Sequence, residues 1–217
     1  MHPDWQNDAS NYCGKHSTPE PDYLAETVRF TWLNTVNPRQ LSGHLQGRFL
    51  SFMAALSHQG CILEIGTFTG YSALCLAEGA AKQAVVHTLE ADAELAFKAR
   101  KNFDASPYAE HIVVHQGPAA DILPTLQLRP GLVFIDADKQ QYQRYCELCL
   151  PMLAVGGVML FDNTLWSMKV LDAEQCENDT DTRIMHGFNN WLLSLPNVEV
   201  VLLPLRDGLT MLRKTAE

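Results

Sequence analysis

The chain has 217 residues, enough for one sizeable core, and its 47% hydrophobic and 19% charged residues are an ordinary globular balance. A net charge of −9 argues against a partner dominated by phosphate backbone. No apolar run is long enough to span a bilayer, the polar start MHPDWQNDASNYCGKH is no signal peptide, and the six cysteines suit a reduced, cytoplasmic setting.

Residues 1–20 are polar, with Pro3, Gly14 and Pro19, and read as an arm or a short capping helix. Leu24, Val28 and Leu33 recur at helical spacing between Pro21 and Asn34, and Asn37-Pro38 stops that helix. Ser42 is expected to cap a further helix running to His58, with Gln59-Gly60 as its terminator. That helix leads into an apolar strand, Cys61-Ile62-Leu63, followed by Glu64-Ile65-Gly66, Thr67-Phe68-Thr69 and Gly70, and then by a helix over Tyr71–Ala81. Strand, glycine turn and helix in that order make half of a βαβ unit, whose helix start offers free N–H groups to a ligand. The spacing Glu64-x-Gly66-x-x-x-Gly70 differs from the dinucleotide pattern G-x-G-x-x-G by a carboxylate in place of the first glycine. A carboxylate there repels a pyrophosphate but tolerates a cationic ligand bearing an amino acid. The stretch resembles motif I of the class I methyltransferases that use S-adenosylmethionine. Its plainer reading is an ordinary glycine turn.

Ala84–Leu89 is a second strand ending at Glu90, which is placed to accept both hydroxyls of a ribose or else to cap the helix Ala93–Phe103. His111–His115 is a third strand. The turn Gln116–Asp121 follows, and Asp121 starts a short helix. Leu132–Ile135 is a fourth strand that ends in Asp136-Ala137-Asp138-Lys139. In the next helix Tyr142, Tyr145, Cys146 and Cys149 fall on one face, so the two cysteines read as core rather than as a redox or zinc pair. Val158–Phe161 is a fifth strand ending in Asp162-Asn163. Trp166–Arg183 reads as an acidic, solvated loop, Ile184–Leu195 as a helix, and Val198–Leu203 with Leu209–Leu212 as a hairpin.

Alternating strands and helices imply a mostly parallel α/β sheet with helices on both faces, and ligands in such sheets bind beyond the carboxyl ends of the strands. Asp136, Asp162 and Asn163 stand at those ends. Two carboxylates and an amide oxygen form a hard donor set suited to Mg²⁺, or to Mn²⁺ or Ca²⁺. The bland alternative is a turn at Asp162-Asn163 and a helix cap at Asp136. Lys139, at the start of the following helix, is a candidate general base against the commoner solvent lysine.

EIGTFTGYSAL (64–74), QGPA (116–119), FIDADK (134–139), GGVMLFDNTLW (156–166) and RDGL (206–209) together resemble the cation-dependent O-methyltransferases, the caffeoyl-CoA and catechol enzymes, most closely their bacterial members. The resemblance runs from about Pro38 to the C-terminus. It implies a Rossmann-like class I methyltransferase fold, with a seven-stranded sheet containing one antiparallel strand, in a single domain over 1–217 with a helical arm at about 1–40. It also implies a homodimer acting on a small catechol-like aromatic, with hydroxylated uridine in tRNA as the alternative acceptor. By the same match Ser42, Glu64, Gly66, Ser72, Glu90, Ala119, Asp136, Asp138 and Tyr145 contact S-adenosylmethionine. Asp136, Asp162 and Asn163 hold the metal, and Lys139 with Asp136 carries catalysis. Two departures bear on the acceptor. Gln40 stands where a methionine often precedes the gating residue, and the acidic stretch after Trp166 lacks the residues plant enzymes use for coenzyme A esters.

Overall fold

A computed structural model describes residues 5–57 and 60–217. One sheet has strand order β3-β2-β1-β4-β5-β7-β6, built from β1 (Ile62–Ile65), β2 (Val86–Glu90), β3 (Ile112–Gln116), β4 (Leu132–Ile135), β5 (Val158–Asp162), β6 (Val198–Leu203) and β7 (Leu209–Lys214). The first five strands pair in parallel, and β7 runs antiparallel between β5 and β6. The expected seven-stranded, mostly parallel sheet with one reversed strand is therefore present. From β1 the chain winds outward to β3, then returns to lay β4 on the other side of β1. That reversal opens a crevice at the carboxyl ends of β1 and β4, where ligands bind in such sheets.

The apolar runs form strands because both faces are covered. Leu132 and Phe134 of β4 join one core with Leu50 and Ala54 of α3 (His44–Leu56) and Leu74 of α4 (Tyr71–Gly79). Val133 and Ile135 join the opposite core with Tyr142, Cys146 and Cys149 of α7 (Tyr142–Cys149) and Met185, Phe188 and Leu192 of α9 (Thr180–Leu192). Both α7 cysteines are buried free thiols, and burial pushes that of Cys146 up to about 12, so they pack and do not react. The N-terminal segment forms α1 (Trp5–Lys15) and α2 (Asp22–Asn34), and Leu24 of α2 reaches the first core.

Several boundaries differ from the sequence expectation. Ser42 does not cap α3. Gly43 occupies that position at φ +78°, while Ser42 is buried. α3 closes at Leu56, and the supposed terminator Gln59 lies outside the described residues. The acidic stretch 166–183 is largely helical, comprising a short turn at Lys169–Leu171, α8 (Ala173–Asn178) and the start of α9. Its acids act locally. The Asp172 side chain accepts the N–H groups of Glu174 and Gln175, which caps α8. α5 (Ala93–Asp104) is capped the same way by Asp92, and α6 (Ala119–Ile122) starts two residues before Asp121.

Candidate active site

The turn after β1 forms the floor. Gly66 sits at φ +100°, and a Cβ there would lie 2.0 Å from the Asp136 carbonyl oxygen. Gly70 sits at φ +91°, with the Phe103 ring 2.3 Å from its would-be Cβ. No other residue type fits either position without displacing its neighbours. Beneath the turn Glu64 is fully buried. The Thr88 hydroxyl donates to its Oε2, Thr67 bonds Thr88, and Oε1 has no protein partner. Burial pushes Glu64 up to about 8 against the pull of the Ser72 and Thr88 hydroxyls, with Asp136 and Glu90 adding to the rise.

At the end of β2 the Glu90 carboxylate accepts the Phe68 N–H at 2.7 Å and the Asp92 N–H at 3.0 Å. Because Asp92 caps α5, Glu90 is left to face the crevice. Its pKa is raised, chiefly by burial.

On the other side of β1 the register Ile135↔Phe161 brings Asp136 and Asp162 to adjacent strand ends. Lys139 Nζ donates to Asp136 Oδ1 at 2.6 Å and to the Tyr142 hydroxyl at 2.7 Å. That hydroxyl lies 3.0 Å from the carbonyl oxygens of both Ile135 and Asp162, so one phenol bridges the two strands and fixes the lysine. Asp162 is 1% exposed. Its Oδ1 accepts the Asn163 N–H at 2.9 Å, while Oδ2 has no hydrogen-bond partner and lies 3.6 Å from Arg206 Nη1. Burial and then Asp136 raise its pKa to about 6, opposed by Arg206, Gln46 and Lys139. Asn163 follows at φ +59°.

These elements enclose a cavity of about 740 Å³. Ser42, Gly66, Ser72, Glu90, Ala119, Asp136, Asp138, Tyr145, Lys139, Asp162 and Asn163 all line it. Glu64 does not, since it lies behind the wall. Among the described residues no group of three or more His, Cys, Asp or Glu side chains has metal-holding geometry. A cation here would therefore have two carboxylates and one amide, with other oxygens completing its shell. The chemistry of that set fits a hard divalent ion. Two of the donors are carboxylates, one of them with a buried oxygen that lacks a hydrogen-bond partner, and Asp136 disfavours the ionisation of Asp162.

Sequence reading missed two features. Tyr142 packs in the core, as its helical spacing implies, and is also the bridge that holds Lys139. Arg206 crosses from the β6–β7 turn to Gln46 Oε1 at 3.2 Å and to the Leu41 carbonyl oxygen at 3.0 Å. The signal for Arg206 was the RDGL motif. Its backbone is left-handed, at φ +50°.

A switch-point crevice, a glycine turn over a buried glutamate and an acid at the second strand's end define the class I methyltransferases. A family model described as O-methyltransferase matches residues 14–215. The chain belongs to that family and is an S-adenosylmethionine-dependent O-methyltransferase. O-methyltransferase ankF of Aspergillus thermomutatus is 30% identical over 216 residues, covering 93% of this chain and 90% of that protein. A catechol O-methyltransferase of Mycobacterium tuberculosis is 40% identical over 129 residues, 59% of each chain. The crystal structure of the Podospora anserina methyltransferase PaMTH1 bound to S-adenosylhomocysteine aligns with a TM-score of 0.90 at 28% identity, covering 100% of this chain and 97% of that one.

Proposed function

We propose that the protein, as a single domain over 1–217, methylates one hydroxyl of a vicinal dihydroxy aromatic with the help of a divalent cation, Mg²⁺ foremost. The observation that carries this reading is the pairing of Asp136 with a buried Asp162, whose Oδ2 lacks a donor, beside Lys139 in one cavity. Asp136, Asp162 and Asn163 would hold the cation, which supplies the charge that acidifies a phenolic hydroxyl. S-adenosylmethionine supplies the methyl group. Glu90 orients its ribose, while Ser42, Gly66, Ser72, Ala119, Asp138 and Tyr145 shape the rest of its site. Glu64 acts from behind the wall as negative charge beneath the cationic donor. Lys139 Nζ, oriented by Asp136 and Tyr142, takes the phenolic proton as general base. Holding the acceptor oxygen in line with the donor methyl supplies much of the rate.

Methyl transfer to catechol, assayed with and without chelator, tests the reading. Activity that persists in full after exhaustive EDTA treatment defeats the cation's part in it. Absence of transfer to any catechol defeats the acceptor.

We further infer a homodimer. Phe52 and Leu56 are 67% and 65% exposed on α3. A groove along Met53, Leu56 and Val158 continues past Val158 to Val201 and Met211, an apolar face that a second copy would cover. A monomeric mass by light scattering at micromolar concentration would exclude it. Among the described residues no helix is long and apolar enough to cross a membrane.

A further inference from the structure

The cavity holds more positive charge than the methyl transfer uses. Arg39, Lys139 and Arg206 line it, in a chain whose net charge is −9. Lys139 is absorbed by the proposed chemistry. Arg206 is not, and its placement is built rather than incidental. The turn that carries it is clamped to the loop after β5 by three bonds. Thr164 N–H donates to the Gly208 carbonyl oxygen at 3.0 Å, Leu165 N–H to that of Asp207 at 2.8 Å, and Ser167 N–H to Asp207 Oδ1 at 2.5 Å. The guanidinium is then aimed by Gln46 Oε1 and the Leu41 carbonyl oxygen. Those two bonds use two of its five N–H donors. The side chain stays 29% exposed, and its nearest countercharge is Asp162 Oδ2 at 3.6 Å, too long for a hydrogen bond.

Asp162 is also a proposed cation ligand. Once a divalent ion engages that carboxylate, Arg206 loses its one ion-pair partner among the described residues and keeps free donors at the cavity. Arg39, exposed, lines the same cavity and lies two residues before the Leu41 carbonyl that Arg206 grips. The remaining acids of the cavity are spoken for on the donor side, Glu90 by the ribose and Asp138 by its own helix start, where its side chain accepts the Gln140 N–H.

Resting on the catechol reading above, we propose that Arg206, assisted by Arg39, is an anion subsite for the acceptor, so that the preferred substrate is a vicinal dihydroxy aromatic carrying a carboxylate. The planar guanidinium suits a carboxylate because two parallel N–H donors meet its two oxygens. The same subsite discriminates against neutral rings of equal size, since they leave the fork unpaired.

The test compares protocatechuic acid with its primary amide, which keeps both hydroxyls and the shape but loses the charge. In the wild type kcat/KM for the acid should exceed that for the amide by about tenfold or more, the usual worth of a hydrogen bond to a charged group. In Arg206→Gln that ratio should collapse toward one, whatever factor is common to both substrates. In Arg206→Lys, which keeps the charge without the fork, it should fall only in part. Arg39→Gln, a change at an exposed residue that folding tolerates, should lower the ratio several-fold. Calorimetric titration of acid and amide into the protein with S-adenosylhomocysteine and Mg²⁺ should show the same ordering in Kd without turnover. Equal wild-type constants for the two compounds, or a ratio unmoved by Arg206→Gln and Arg39→Gln, overturns the subsite while leaving catechol methylation standing. If no catechol is methylated the acceptor reading falls, and the calorimetric ratio still decides the subsite.

Discussion

Asp162→Asn is expected to make the cation-free protein more stable and at the same time deaf to divalent ions. The shape of the side chain and the bond from the Asn163 N–H survive the change, and only the charge goes. In the wild type that carboxylate is buried, and its pKa rises from 3.8 to about 6. The folded state therefore holds a proton that the unfolded chain has released between those values, so the group's burial penalty grows as pH rises from 3.8 to 6 and is complete above about 6. Over this span the penalty is at most about 3 kcal/mol, from the worth of each pH unit. A chain of this size moves about 2–4 °C in melting temperature per kcal/mol, so the empty variant should melt up to about 6–12 °C above the empty wild type near pH 8. Near pH 4.5 the difference should shrink, because the wild-type carboxyl is then largely protonated in the fold.

The cation arm has the opposite sign. At a concentration one hundred times its Kd, a ligand stabilises by about 2.7 kcal/mol. Mg²⁺ should then raise the wild-type midpoint by about 5–11 °C and leave the variant nearly unmoved. Scanning fluorimetry in EDTA, then in saturating Mg²⁺, Mn²⁺ and Ca²⁺, at both pH values, reads all four quantities. A variant that melts below the wild type in EDTA near pH 8 refutes the electrostatic account of Asp162. Equal cation shifts in both proteins refute its place in the ion's shell.

Lys139→Ala should lower methyl transfer by about a hundredfold or more, the usual worth of a positioned base, with circular dichroism unchanged; near-normal kcat removes the lysine from the chemistry. Glu64→Gln should flatten the pH dependence of stability. The wild-type carboxyl is held protonated up to about 8, so the fold loses stability from about pH 4.5 to 8 through this group, and urea midpoints with equal slopes across that range in both proteins would contradict its burial. Gly79→Ala should destabilise by about 2–3 kcal/mol through overpacking, since a Cβ there would sit 1.8 Å from the Ser51 carbonyl oxygen where α3 meets α4. Gly187→Ala in α9, which meets no atom within 4 Å, should instead stabilise by up to about 1 kcal/mol, read as a higher urea midpoint.

Strands β1, β4 and β5 were legible because they are buried along nearly their whole length and so read as largely apolar runs, with polar residues displaced to the end that meets ligand, whereas the edge strand β3 is half exposed. That is why Glu90, Asp136 and Asp162 stood out at strand ends. The stretch 166–183 was misread because acidity reports solvent exposure and not backbone conformation. Asp172 lies outside the helix it starts, and the polar first turn of α9, Thr180–Arg183, hides the apolar stripe of Met185, Phe188 and Leu192 that follows. Ser42 had the chemistry of a cap, but the left-handed entry at Gly43 turned it toward the cavity instead. The RDGL motif marks Arg206, but its contact was illegible, because the partner Gln46 is 160 residues away and no local pattern encodes a contact at that range.

The buried acids of the crevice differ in kind from acids elsewhere in the molecule. On the surface Glu199 meets Arg213 at 2.6 Å, and Glu78, largely buried, meets Arg48 through a charged bond of its own. Glu64 and Asp162 each keep one buried oxygen that no protein donor reaches. Folding is penalised for such an oxygen, and near neutral pH both groups sit closer to their protonated form than a surface acid would. A charge from outside the chain can supply the missing interaction. A cationic donor above Glu64 and a divalent ion at Asp162 would each restore the ionised form. Removing either charge should thus strengthen the empty fold and weaken the loaded one, a pairing of signs that a merely structural carboxylate, whose loss only destabilises, does not produce.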